Sequence, residues 1–362
     1  MPRSDAGAIR IFHTRHPRFL DSEAKWLPRP ITDSEIGDAI LDSRDGQLAV
    51  ARWYDFQDWA ALEQFVAAVA QDSAVQVFET AVEAVIDGDV DALKGLLATH
   101  PELGRARSTR VTHFNPPIHR STLLHYLGAN GVEGFRQRTP PRAVEIARLL
   151  LEAGAEPDAL ASLYGGQCTT MSMLVSSTPP AQAGLQVALI DTLVDLRAAV
   201  EAPGDGNWQS PILTALIFGF TDAAEALAMR APRMDDVAVA AGLGRVADVR
   251  RLLPQASAEC RHMALALAAQ LGRVEVVRLL LDAGEDPDRY NPKGGHAHAT
   301  PLHQAALAGH EAVVRLLVER GAAPGQKDKI YHGTPLGWAV HGGQTAIAEY
   351  LKCSLADTPF GT

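Results

Sequence analysis

The stretch TPLHQAALAGHEAVVRLLVERGAAP from Thr300 and the stretch TPLGWAVHGGQTAIAEYLK from Thr334 begin with the same tripeptide, 34 residues apart. In each, a glycine follows the threonine by nine residues, at Gly309 and at Gly343. Self-similarity at this period constrains the fold more than any other feature. A unit this short cannot bury its apolar face alone and must stack on its neighbours. Each position has a physical task. Thr300 is suited to cap a first helix, and Pro301 stands where a missing amide donor costs nothing. Leu302, Ala305 and Ala306 form a thin apolar face that lets neighbouring helices approach closely. Gly309 can take the left-handed conformation that ends a helix. Val313, Val314, Leu316 and Leu317 recur at helical spacing and predict a buried second helix, closed by Gly321.

Weaker copies precede these two. AVEAVIDGDVDALKGLL keeps its turn glycine at Gly88, SPILTALIFGFTDAAEALA at Gly219 and VAVAAGLGRVADVRRLL at Gly244. MALALAAQLGRVEVVRLLLDAGEDPD keeps Gly272 and the closing Gly284. A degenerate copy runs from Thr169 through ALIDTLVDLRAAV, and an interrupted one starts at His125. The pattern resembles the ankyrin repeat, a unit of about 33 residues with a T-P-L-H-x-A signature. The resemblance implies an all-α ankyrin-repeat solenoid, made of helix-turn-helix units with hairpin fingers. About eight units are expected over residues 79–353, with an insertion near 132–142 and a tail over 354–362. Apolar residues make up 47% of the chain but aromatic ones only 6%, and the apolar load is mainly Ala, Leu and Val, which favours helices over a sandwich or barrel.

Residues 1–78 differ in character. DGQLAVARWYDFQDWAALEQFVAAVAQ concentrates Trp53, Tyr54, Phe56, Trp59 and Phe65. Two short helices joined at YDFQDW are expected, with Asp58 capping the second. The aromatic residues would then cover the open end of the first repeat, as terminal caps of solenoids must. This region resembles N-terminal segments of bacterial ankyrin proteins. The interrupted copy, HYLGANGVEGFRQRTPPRAVEIARLLLEAGAE, resembles an elongated repeat in a subset of them, to which no activity attaches.

That interruption can be measured. Gly309 to Gly321 spans 12 residues, whereas Gly131 to Gly154 spans 23, a difference of 11. The extra residues fall in VEGFRQRTPPRA, where Pro140 and Pro141 are expected to restart the helix at its tolerated first positions. A neutral surface insertion would explain the length. The composition suggests more. Asn130, Glu133, Phe135, Arg136 and Arg138 crowd one stretch, flanked by His113, His119, His125 and Tyr126 before it and by Tyr164 and Cys168 after it.

A net charge of −10 disfavours nucleic acid and anionic lipid as partners. Three scattered cysteines argue against a disulfide framework, and neither a signal peptide nor a membrane span is visible, so a cytoplasmic location is expected. No cofactor motif appears. His125 and His303 stand at the fourth position of the tetrad, where hydrogen bonding within and between repeats is the ordinary role, and His310 is expected to bridge a turn. His296 and His298 alternate on an expected strand and, with His332 on the next finger, could form a zinc-like set, although no metal site is expected from so weak a pattern. Cys168 is a candidate nucleophile if a histidine lies near it and it is accessible.

Two functions follow. The first is a protein-interaction module that meets another protein through Asn130, Tyr164, Trp208, His296, His298, Tyr331 and His332. The alternative is a small-molecule enzyme or receptor, an isomerase, cyclase or hydrolase, with acid and base groups from His119, His125, Tyr126, Glu133 and Arg136 in a pocket closed by the elongated repeat.

Overall fold

Short polar side chains start the helices. Asp72, Asp89, Ser210, Asp236, Ser257 and Thr334 each occupy an N-cap and accept a free amide of the first turn. The structure, a computed structural model, describes residues 6–22, 27–201, 210–231 and 235–356. These fall into two compact units, one running to Ala199 and the other built mainly of residues from Ser210 onward.

The first unit opens with α1 (Ala6–Arg15), α2 (Asp33–Gly37), α3 (Ser43–Trp53) and α4 (Trp59–Gln71). Asp58 caps α4 as expected, accepting from the Ala61 amide at 2.9 Å. Helix pairs follow: α5 (Ser73–Asp87) with α6 (Val90–Thr99), then α7 (Leu123–Gly128) with α8 (Ala143–Glu152). The short strands β1 (Ala161–Leu163) and β2 (Gly166–Cys168) pair antiparallel, with Ala161 opposite Cys168. Helices α9 (Thr170–Leu174), α10 (Thr178–Gln182) and α11 (Gln186–Asp195) complete the unit. Helices α5, α7 and α9 pack side by side as one layer, and α6, α8 and α11 lie behind them.

The second unit holds α12 (Pro211–Ile217), α13 (Thr221–Arg230), α14 (Val237–Gly242), α15 (Val246–Leu252), α16 (Ala258–Gln270), α17 (Val274–Asp282), α18 (Pro301–Ala308), α19 (Glu311–Glu319), α20 (Pro335–His341) and α21 (Thr345–Ala356). The even-numbered helices stack on one another and the odd-numbered ones back them. The thin faces do what their composition predicts. Every residue of α14 is buried, and a Cβ placed on Gly242 would lie 2.8 Å from Leu216 of the adjacent α12. At Gly272, φ is +71° and an added Cβ would meet the His310 ring at 2.6 Å. His310 in turn donates to the Gln270 carbonyl at 3.0 Å, bridging one turn to the next. In each unit the architecture is the all-α stack of helix pairs that the resemblance implies.

Two local expectations are corrected. Pro140 and Pro141 do not begin α8; they form a turn before it, in which the Pro140 carbonyl accepts from the Ala143 amide at 3.0 Å. Pro140 instead packs on Gly88, where a Cβ would come within 2.9 Å of it. The segment of His296 and His298 is not a strand: it turns, with φ +62° at His296, and is closed by the Asn291 amide on the Ala299 carbonyl at 2.8 Å. The two imidazoles therefore do not share a strand face.

Candidate functional site

The insertion does not stand out into solvent. Its residues Gly134–Arg136 form one 3-10 turn that folds down onto α5. Helix α5 presents Glu79 and Glu83 one turn apart, on the same face. The long finger before α7 brings Arg110 and His119, and the insertion brings Glu133, Phe135 and Arg136. Arg136 Nη2 lies 2.6 Å from Glu79 Oε2 and 2.7 Å from Glu83 Oε1. Arg110 reaches Glu133 at 3.2 Å through Nε and Glu79 at 3.4 Å through Nη1. Arg136 Nη1 completes the ring at 3.5 Å from Glu133. His119 accepts from the Ser121 amide on Nδ1 at 3.1 Å, so Nε2 carries the proton and donates to Glu133 at 3.1 Å.

Aromatic rings wall this network. The Arg110 guanidinium lies 4.4 Å from the Phe56 ring centre and 4.6 Å from that of Phe65. Tyr54 meets Phe135 edge to face at 5.3 Å. Burial alone would raise the Glu133 carboxyl, but the His119 hydrogen bond and the two guanidiniums outweigh it and hold the group at about 2. Burial works against the Arg136 charge, yet Glu79 and Glu133 leave its pKa above the ordinary arginine value. Burial raises the Tyr126 phenol well above its usual range, so it stays neutral.

The five residues considered for acid–base work thus have a defined place. His119, His125, Tyr126 and Glu133 have 0% exposure, and Arg136 has 3%. His125 stands apart from the network. Its Nδ1 accepts from Thr122 at 3.1 Å, and burial, opposed by the Cys168 and Ala159 backbone, holds its pKa at about 3. His303 does the same work in its own repeat, accepting from the Thr300 amide and donating to the Gly333 carbonyl at 3.2 Å. Cys168, a candidate nucleophile only if accessible, is fully buried, and burial pushes its thiol up to about 12. It therefore has no thiolate at neutral pH.

The residues expected at a partner surface divide between the units. In the first, Asn130 accepts from the Tyr164 hydroxyl at 3.1 Å and donates to Ser176 Oγ at 2.6 Å. Tyr164, in a left-handed conformation, keeps half of its surface exposed. In the second, His298 lies 5.8 Å from Tyr331 and 5.7 Å from Trp338, ring centre to ring centre. His296 donates through Nε2 to the Ile217 carbonyl at 3.1 Å, and His332 is exposed. Trp208 lies outside the described residues. Among the described residues no group of three or more His, Cys, Asp or Glu side chains could hold a metal ion, so the three imidazoles do not form the zinc-like set.

Sequence reasoning missed two buried aspartates. Asp55, at φ +60°, accepts from the Gly134 amide at 2.6 Å, from His113 at 3.1 Å and from Arg15 at 3.4 Å. It ties the N-terminal helices to the insertion. Asp328 accepts from the Ile330, Tyr331 and Gly333 amides at 2.9, 2.6 and 2.8 Å and from the Trp338 indole at 3.1 Å. Burial would raise its pKa, but these bonds pull it below the usual carboxylate value. The signal for Asp328 was legible, since an aspartate that binds amides two and three residues on is a known turn-former.

Comparison with known proteins gives the family signal. The model for ankyrin repeats (3 copies) matches residues 237–328 and 265–359. A segment of 75 residues is 40% identical to the mouse ankyrin repeat and SAM domain-containing protein 6, covering 21% of this chain and 8% of that protein. The chain therefore spans under a tenth of that relative's length. No described helix is long and apolar enough to cross a membrane.

Proposed function

We propose that this ankyrin-repeat protein is a protein-interaction module whose partner docks on the fingers of the second unit, around Ile330 and Tyr331. Ankyrin repeats are in general modules of this kind. One observation carries the choice of surface: Asp328, only 1% exposed, holds the loop by four hydrogen bonds while Ile330 and Tyr331 stay 41% and 54% exposed. A large ring presented on a backbone that is already ordered loses little entropy on binding, which is the economy of an interface hot spot. His298, His332 and Trp338 extend the same face, and His296 anchors the preceding finger. Asn130 and Tyr164 offer a similar pair in the first unit, and residues 1–78 serve as the helical cap of the first repeat. Acid–base catalysis by His119, His125, Tyr126, Glu133 and Arg136 is not part of the proposal, because the first four have no exposed surface and Arg136, which lines an open groove, is held in ion pairs by Glu79, Glu83 and Glu133.

Photocrosslinking in the native cell tests this reading. A benzophenone amino acid at position 331 is expected to capture a discrete partner, and one at Met229, which is 76% exposed on α13, is not. Capture at 229 with none at 331 would overturn the surface.

A further inference from the structure

Helix α4 is WAALEQFVAAVAQ, 13 residues of which not one is buried. Its neighbour α5 buries seven of 15. An apolar helix that leaves its side chains half open normally has something else to cover it. Leu62, Phe65, Val66 and Val69 of α4 form one wall of an open groove of about 430 Å³, and Tyr54 and Phe135 form the other. Val66 alone is 58% exposed. The spacing of the wall residues is helical, so the groove runs along α4.

The charge along α4 and α5 has one sign. Residues 53–93 hold nine acidic side chains and no lysine or arginine. Asp58, Glu63 and Asp72 are exposed along α4 and at its ends. The two arginines at the groove floor do not offset them, since Arg110 and Arg136 are shared among Glu79, Glu83 and Glu133. A second copy of this chain would bring the same acidic rim against this one, because a two-fold contact pairs like with like. An anionic membrane would be repelled in the same way.

The geometry points to the α4 groove as a docking site for an amphipathic helix of a partner protein, apolar on one face and flanked by lysine or arginine. Its apolar anchors would fill the space between α4 and Phe135, at the spacing of helix-in-groove recognition. Its basic flank would meet Glu63, Asp58 and Asp72. This site is independent of the finger surface in the second unit.

A designed peptide of about 18 residues, with leucine at helical spacing and lysine elsewhere, probes it on the full chain, beside a twin carrying glutamate for lysine. Fluorescence anisotropy is expected to show the lysine peptide binding at least about tenfold tighter, with affinity falling as salt is added. Hydrogen exchange is expected to slow within residues 59–71 of the complex. Val66→Gln with Val69→Gln should weaken binding about tenfold with little change in the thermal midpoint, since Val66 is exposed and Val69 only half-buried. Glu63→Lys should reduce the salt dependence while leaving the apolar contact in place. Equal binding of the two peptides, or protection confined to residues beyond 210, would overturn the proposal. So would a concentration-dependent dimer, or binding to anionic vesicles, that Val66→Gln abolishes.

Discussion

The repeat at Thr122 and the repeat at Thr300 start alike and are held together differently. Both open with a Thr–His capping box, and in both the histidine sits fully buried over the next finger. The repeat at Thr300 then turns at Gly309 and packs through an apolar seam that includes Leu302, Ala305, Ala306, Val314 and Leu317. The repeat at Thr122 inserts a charged segment, buries it, and balances it against α5 and the preceding finger. An apolar seam tolerates the loss of one contact. A buried ion network does not, because each charge left alone keeps its full desolvation cost.

The largest expected effect follows. Glu133→Ala leaves Arg110, Arg136 and the His119 N–H without their shared acceptor, and the expected loss is about 3–5 kcal/mol in the first unit. Hydrogen exchange resolved by segment checks it: α5 and α7 should lose protection while α18 and α20 keep theirs. Equal loss in both units, or none in either, would break the contrast.

Acid should expose the same difference. Glu133 sits at about 2 in the folded chain against 4.5 when free, so its contribution is present above pH 4.5 and is lost as pH falls toward 2. The shift corresponds to about 3 kcal/mol. His125 acts in the same direction over a higher range. Held at about 3 against 6.5, it binds its proton more readily in the unfolded chain, so stability falls as pH drops below 6.5. Exchange protection of α7 should therefore decline gently from pH 6.5 and steeply below 4.5. In Glu133→Gln the steep part should vanish and the gentle part remain; an unchanged profile would mean that Glu133 does not drive the acid response.

The parts of the molecule that the sequence announces are those set by local rules. Thr300, His303, Gly309 and Gly321 act within a few residues of themselves, and the same letters predict the same turns elsewhere. Asp58 as the cap of α4 is of this kind. The buried network is not. Glu79 and Glu83 look like the solvated face of a helix, and Arg110 lies in a finger with no repeat pattern. Nothing in their spacing shows that the insertion will fold back to meet them. Glu133 and Arg136 could be singled out by composition, but their burial depends on partners far along the chain. Asp55 is hidden for a further reason, since its left-handed conformation is one that aspartate adopts only occasionally.

The smallest effect tests whether the two repeats differ only where the insertion acts. The Thr122 hydroxyl meets His125 Nδ1 at 2.8 Å, and the Thr300 hydroxyl meets His303 Nδ1 at the same distance. Thr122→Val and Thr300→Val each remove a cap of equal geometry, so each is expected to cost about 1 kcal/mol. Denaturant titration followed by segment-resolved exchange compares them. A cost confined to Thr300 would mean that the ion network, packed against α7 through Tyr126, holds that helix so firmly that its cap has become redundant. A cost at both would mean that the insertion was added to a repeat that still closes by its ordinary means.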